Sequence, residues 1–257
     1  MARWVRFLDP GGSEALGRLE EHGIAQYEGD LFAAPVATGR TLAADAVRLL
    51  APCVPGKVVG LWNNYRALAA KLGKPAPKHP LFFLKPGTSV IGTGEAIHRP
   101  AAYRGKLVFE GELGVVIGKR CTNVSADRAE ECIFGYTCVN DVTAVELIGE
   151  DANFEQWCRA KGSDTFCCLG PAIATSLDVR RARVRTLVDG VERQNYPLSD
   201  MIFPPQELVA RISADMTLCP GDVIACGTSI GAGSMKDGAT VCIGIDEIGE
   251  LSNALRQ

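Results

Sequence analysis

The sequence predicts an α+β chain that is mostly β. Two observations carry this. Short apolar runs, bounded by Gly, Pro, Asn-Asp and Asp-Gly turn signals, recur from end to end. No long amphipathic segment separates them, so the crossover helices that a parallel βαβ fold needs are missing.

The elements follow in order. "RWVRFL", "ALGRLE" and "GIAQYE" (residues 3–8, 15–20 and 23–28) read as strands broken by Gly turns. They predict a small N-terminal β module over residues 1–55, closed by Pro52 and Pro55, with a second domain over 56–257. "KVVGLW" opens that domain as a strand, 65–72 is helix-like, "KPAPKHP" is a Pro-rich loop and "LFFLK" a further strand. "VFEGELGVVIG" (108–118) reads as one strand. "NVSADRAEECI" predicts a helix with Ser125 as its N-cap. "FGYTCVND" is strand-like, and "EDANFEQWCRAKG" reads as a helix or lid closed by Gly162. "RVRTLVDGVERQNY" is a hairpin around Asp189-Gly190. "PPQELVARIS" is a helix with Pro in its first turn. "LCPGDVIACGT", "TVCIGI" and "GELSN" supply the last strands.

Composition narrows the function classes. The chain has 257 residues, 47% hydrophobic and 22% charged, with a net charge of -3. No basic run or basic-aromatic cluster points to nucleic acid. No apolar stretch reaches the ~18 residues that a membrane span requires. With no signal-peptide core at the N-terminus, a soluble cytoplasmic protein is expected. The ten cysteines form no CxxC pair, and the three histidines have no metal-ligand spacing.

One stretch stands out chemically. Residues i and i+2 of a strand share a face, so Glu110 and Glu112 point the same way. Two adjacent carboxylates repel each other, and a bound cation would relieve that; a solvated acidic edge strand is the other reading. Downstream come "GYTCVND", "QWCRAKGSDTF" with "LGPAI", and "PGDVIACGT". In this order and spacing the segments resemble the fumarylacetoacetate hydrolase family, over about residues 56–252. More narrowly they resemble its small bacterial hydrolases, isomerases and decarboxylases of 2-oxo acids.

The resemblance implies a mixed β-sandwich roll, usually a homodimer, that holds Mg²⁺ or Mn²⁺. It implies Glu110, Glu112 and Asp141 as ligands, a donor set that suits a hard cation. It implies a 2-oxo acid as the small-molecule partner, gripped by the metal as its enolate develops. Lys161 would meet the substrate carboxylate or enolate, and Thr228 would hydrogen-bond the carboxylate. Tyr65 and Lys85 are further substrate-binding candidates. Plain structural roles stay open for each: a turn for Asp141 and Thr228, a solvated helix end for Lys161, a buried ion pair for Lys85.

The pattern also breaks. Family hydrolases carry a His–Glu pair that activates water, where "NNYRALAAK" has Leu68 and Lys71; "GLWNNY" is also one residue longer than the usual pattern. Val145 stands where relatives have an Arg. Three readings follow: a metal-dependent tautomerase, isomerase or decarboxylase of a 2-oxo acid; a C–C hydrolase with its base elsewhere, His79 being the nominee; or a non-catalytic homologue.

Overall fold

A computed structural model describes residues 1–256. Strands dominate, as expected, and only three α-helices accompany them among the described residues. The largest sheet has twelve strands. Its main path runs Val36–Leu42, Gly23–Glu28, Glu14–Glu20, Arg3–Leu8, Cys167–Ala174, Ile133–Asp141, Gly111–Ile117, Val223–Ala225, Lys57–Trp62 and Leu81–Pro86. A five-stranded sheet joins Val191–Pro197, Arg183–Val188, Thr240–Ile245, Gly249–Arg256 and Ile97–His98. A three-stranded sheet carries Thr143–Ala144, Leu107–Phe109 and Gly233–Met235. Most pairings are antiparallel, but Val223–Ala225 runs parallel to Lys57–Trp62, so the large sheet is mixed.

The two larger sheets enclose the main core. Leu113 and Val115 of one pack in the same buried cluster as Val184, Val241 and Ile243 of the other. The helix Pro205–Asp215 adds Leu208, Val209 and Ile212, one stripe at helical spacing, to that cluster. The hairpin at Asp189-Gly190 is as expected: both residues have positive φ (51° and 77°), which a primed turn requires.

The expected boundary near residue 55 falls between two strands of one sheet. Arg3–Leu8 pairs with Cys167–Ala174 at Arg3↔Ala174, so hydrogen bonding runs continuously from the N-terminal strands into the rest of the chain.

Three local expectations fail. Ser125 caps no helix. Its segment closes one turn, with the Arg128 N–H on Ser125 O (3.0 Å), and then holds only a single 3-10 turn, Ala129–Cys132. The Asn123 N–H donates to Ser213 O (2.7 Å) and the Val124 N–H to Ser213 Oγ (3.1 Å). The segment 150–162 is helical only over Trp157–Lys161. Asp151 Oδ1 accepts from the Asn153 N–H (2.8 Å) and holds the chain in a turn that competes with a helix. Finally, the run 108–118 is two strands, Leu107–Phe109 and Gly111–Ile117, with the break at Glu110.

Candidate active site

The break at Glu110 shapes the site. The Glu110 N–H turns to Asn140 Oδ1 (3.1 Å), and the Glu110 carbonyl accepts from the Asp141 N–H (3.0 Å). Beyond it Gly111–Ile117 pairs with Ile133–Asp141 in the register Gly111↔Asn140. That register brings Asp141, 29 residues from Glu112 in sequence, beside the glutamate pair. Oxygens of Glu110, Glu112 and Asp141 lie within 4.8 Å of one another. Gly111 between the glutamates has a steric reason: a Cβ there would fall 2.1 Å from Thr186 Oγ1.

The cluster is buried. Glu112 and Asp141 are fully buried, and the Glu110 side chain keeps 18% exposure. Three carboxylates packed so closely need compensation. Lys161 Nζ donates to Glu110 Oε1 (2.9 Å) and Asp141 Oδ2 (2.7 Å). Lys85 Nζ donates to Asp141 Oδ1 from the interior. Thr143 Oγ1 donates to Glu110 Oε1 (2.6 Å), and the Gly227 N–H to Glu112 Oε2 (2.8 Å).

The charges follow from these contacts. Burial pushes the Glu112 carboxyl well above its usual range, reinforced by the charges of Asp141 and Glu110 and only partly opposed by Lys161 and the Gly227 N–H. Burial also pushes Asp141 upward, but Lys161 and Lys85 together outweigh it and hold Asp141 low. For Lys161, burial favours the neutral form, yet Asp141, Glu110 and Glu112 raise its pKa overall. Lys161 is therefore an ammonium. Two of its three N–H donors are committed to carboxylates, which leaves one.

A chamber of about 230 Å³ opens over this cluster, and Glu110, Lys161 and Thr228 line it. The Thr228 hydroxyl donates to Gly111 O (2.9 Å) and accepts from Gln194 Nε2 (2.8 Å), so its only proton is already engaged. The Thr228 and Ser229 amides, by contrast, donate to no other described residue. Lys85 and Tyr65, expected at the substrate, are fully buried and do not line the chamber. Tyr65 lies edge-on against Tyr196, ring centroids 4.9 Å apart. Leu68 and Val145 do line the chamber, whereas Lys71 and His79 are exposed and outside it.

Sequence reasoning missed Thr143 and Asn63. Thr143 sits two residues after Asp141 but opens a separate short strand, Thr143–Ala144, so strand alternation does not mark it. Asn63 lines the chamber with positive φ (57°), is 4% exposed, and has no partner for Oδ1 among the described residues. Only the strained backbone marks it, and the sequence does not display that.

A fit to a cation is supported by the cluster itself. Its donors are all carboxylate oxygens, and Glu112 Oε1 is buried with no hydrogen bond among the described residues. An orphaned acceptor inside an oxygen cage suits a hard cation.

Comparison with known proteins agrees with this architecture. Residues 57–256 match the family model described as fumarylacetoacetate (FAA) hydrolase C-terminal, and residues 2–52 match one described as Rv2993c-like, N-terminal. The chain is 38% identical over 223 residues to oxaloacetate tautomerase YisK of Bacillus subtilis, covering 81% of this chain and 73% of that protein. A crystal structure of 2-hydroxyhepta-2,4-diene-1,7-dioate isomerase from Mycobacterium marinum superposes with a TM-score of 0.90 at 39% identity, covering 100% of this chain and 98% of that one. A fumarylacetoacetate hydrolase from Exiguobacterium antarcticum gives 0.83 at 29% identity, covering 100% and 99%.

Proposed function

The chain belongs to the fumarylacetoacetate hydrolase family, and from that membership we propose that it is a divalent-cation-dependent tautomerase, isomerase or decarboxylase of an enolisable 2-oxo acid. The observation that carries this reading is the buried carboxylate cluster, with its orphaned Glu112 oxygen, opening on a chamber that none of the three histidines lines.

Glu110, Glu112 and Asp141 would hold Mg²⁺ or Mn²⁺, which when bound supplies Lewis-acid polarisation of the 2-oxo group. The remaining N–H of Lys161 donates to the substrate's anionic oxygen and stabilises charge there as the enolate forms. Lys161, held between Glu110 and Asp141, acts as a hydrogen-bond donor. The Thr228 and Ser229 amides receive the substrate carboxylate. In loss of CO₂ β to the ketone the C–C electron pair becomes the enolate, and in a keto–enol shift solvent water takes the α-proton; each needs this charge stabilisation and neither needs water activated as a nucleophile. The apolar Leu68 in the chamber wall is consistent with that, since it can take no proton from water. Lys85 completes the site from behind by neutralising Asp141.

The test is a panel of 2-oxo acids and their enols, monocarboxylic and dicarboxylic, assayed with and without EDTA. Loss of enol absorbance or release of CO₂ that stops with EDTA is expected, with acylpyruvates left intact. Efficient acylpyruvate cleavage would replace this reading with a hydrolase, and no turnover of any 2-oxo acid would reject it.

A further inference from the structure

The chamber lining is of two chemical kinds. Glu110, Thr143, Lys161, Thr228 and Ser229 supply its polar part. Leu68, Leu72, Val145, Ile148, Trp62 and Trp157 supply its apolar part, and Lys161 Nζ lies 5.0 Å from the Phe83 ring that stacks on Trp157. Among the described residues Lys161 is the only Lys, Arg or His that lines it, and it already serves Glu110 and Asp141. A second carboxylate on a substrate held at the polar part would lie against leucine, valine and tryptophan. It would lose its water and gain no counter-charge.

The apolar character continues outward. Trp62 and Trp157 also line an adjoining cavity of about 760 Å³, together with Leu81, Phe82, Phe83 and Phe154. Phe83 stacks on Trp157 with centroids 5.6 Å apart and planes 14° off parallel. Phe154 is 73% exposed. Lys74, the one cation among the described residues that lines this outer cavity, sits 5.3 Å over the Trp62 ring, where the indole face already engages its charge. Aromatic and branched aliphatic walls that meet a small polar part are built for an amphiphilic ligand.

Resting on the 2-oxo acid reading of the polar part, we propose that this chain recognises 2-oxo monocarboxylic acids with an apolar aryl or branched-alkyl tail and discriminates against 2-oxo dicarboxylates. The carboxylate and keto group lie near Lys161, and the tail covers Leu68, Val145 and Ile148 and points toward the Trp62–Trp157 pair.

The test is binding, read by quenching of tryptophan fluorescence in Mg²⁺ buffer, which Trp62 and Trp157 make direct. The informative pair is 4-methyl-2-oxopentanoate and oxaloacetate, whose isopropyl and carboxylate ends have similar shape. Phenylpyruvate and 2-oxoglutarate form a second pair. The apolar member of each pair should bind at least tenfold more tightly. Val145→Arg, at a position 38% exposed, should narrow or reverse that preference. Leu72→Arg, at a position 46% exposed, gives the same test should the first variant misfold. Tighter binding of the dicarboxylates by the unaltered chain overturns this proposal alone. So does a preference that neither arginine moves. No binding of any of the four acids overturns the 2-oxo acid reading and this proposal with it.

Discussion

Replacing Lys85 with methionine should destabilise the protein at neutral pH, although Lys85 touches no surface. The substitution keeps most of the apolar stem and deletes the ammonium. Asp141, fully buried, then keeps Lys161 as its only cationic partner among the described residues. Removing one partner of a buried pair costs about 3–5 kcal/mol. Because Lys161 remains at 2.7 Å, the lower end is expected, about 3 kcal/mol. For a chain of this size that corresponds to a fall in Tm of roughly 6–12 °C. The measurement is urea unfolding with EDTA present, extended to a double-mutant cycle with Asp141→Asn. Once Asp141 carries no charge, Lys85→Met should cost far less, which gives a coupling energy of about 2 kcal/mol or more. A coupling below about 0.5 kcal/mol would refute the role of Lys85 as the counter-charge of Asp141.

Three other outcomes are expected. Lys161→Met should lower 2-oxo acid turnover by about 10²–10³-fold. It should leave Mn²⁺ binding equal or tighter, because a like charge has left the cluster; weaker Mn²⁺ binding in a titration would contradict this. Gly227→Ala should destabilise by about 1–2 kcal/mol, because Gly227 has φ +86° and its added Cβ would meet Leu61 O at 3.2 Å; a melting curve that matches the parent would contradict the strain. In a thiol-reagent time course the exposed Cys158 should react first and Cys158→Ser should remove that phase. Cys53 and Cys167, each pushed up to about 12 chiefly by burial, should react only on unfolding.

How much was legible in the sequence depended on range. The alternation that puts Glu110 and Glu112 on one face is a two-residue rule, and it held across a break in the strand because both oxygens still converge. The hairpin at Asp189-Gly190 and the helix opened by Pro205 were likewise written in local turn and cap chemistry. Ser125 failed for the opposite reason: the two residues before it, Asn123 and Val124, are tied to Ser213, a tertiary contact that the local sequence does not display. The strand Val36–Leu42 went unread because it is almost wholly exposed and carries Gly39 at φ +80°, so it has no apolar alternation to detect. Asp141 reached the candidate ligand set through family resemblance, since the register that delivers it, Gly111↔Asn140, is a tertiary fact. The apolar part of the chamber was hidden for the same reason. Leu68, Val145 and Trp157 come from three separate segments and form a wall only after folding.

The most direct measurement is a Mn²⁺ titration of the full chain and of Glu110→Ala, followed by calorimetry or by the paramagnetic signal of free Mn²⁺. Saturable, stoichiometric binding by the parent is expected, lost in a variant whose circular dichroism and melting curve show it folded. An identical titration in the two proteins would mean that Glu110, Glu112 and Asp141 hold no ion, and a parent that binds no Mn²⁺ would contradict the assignment outright.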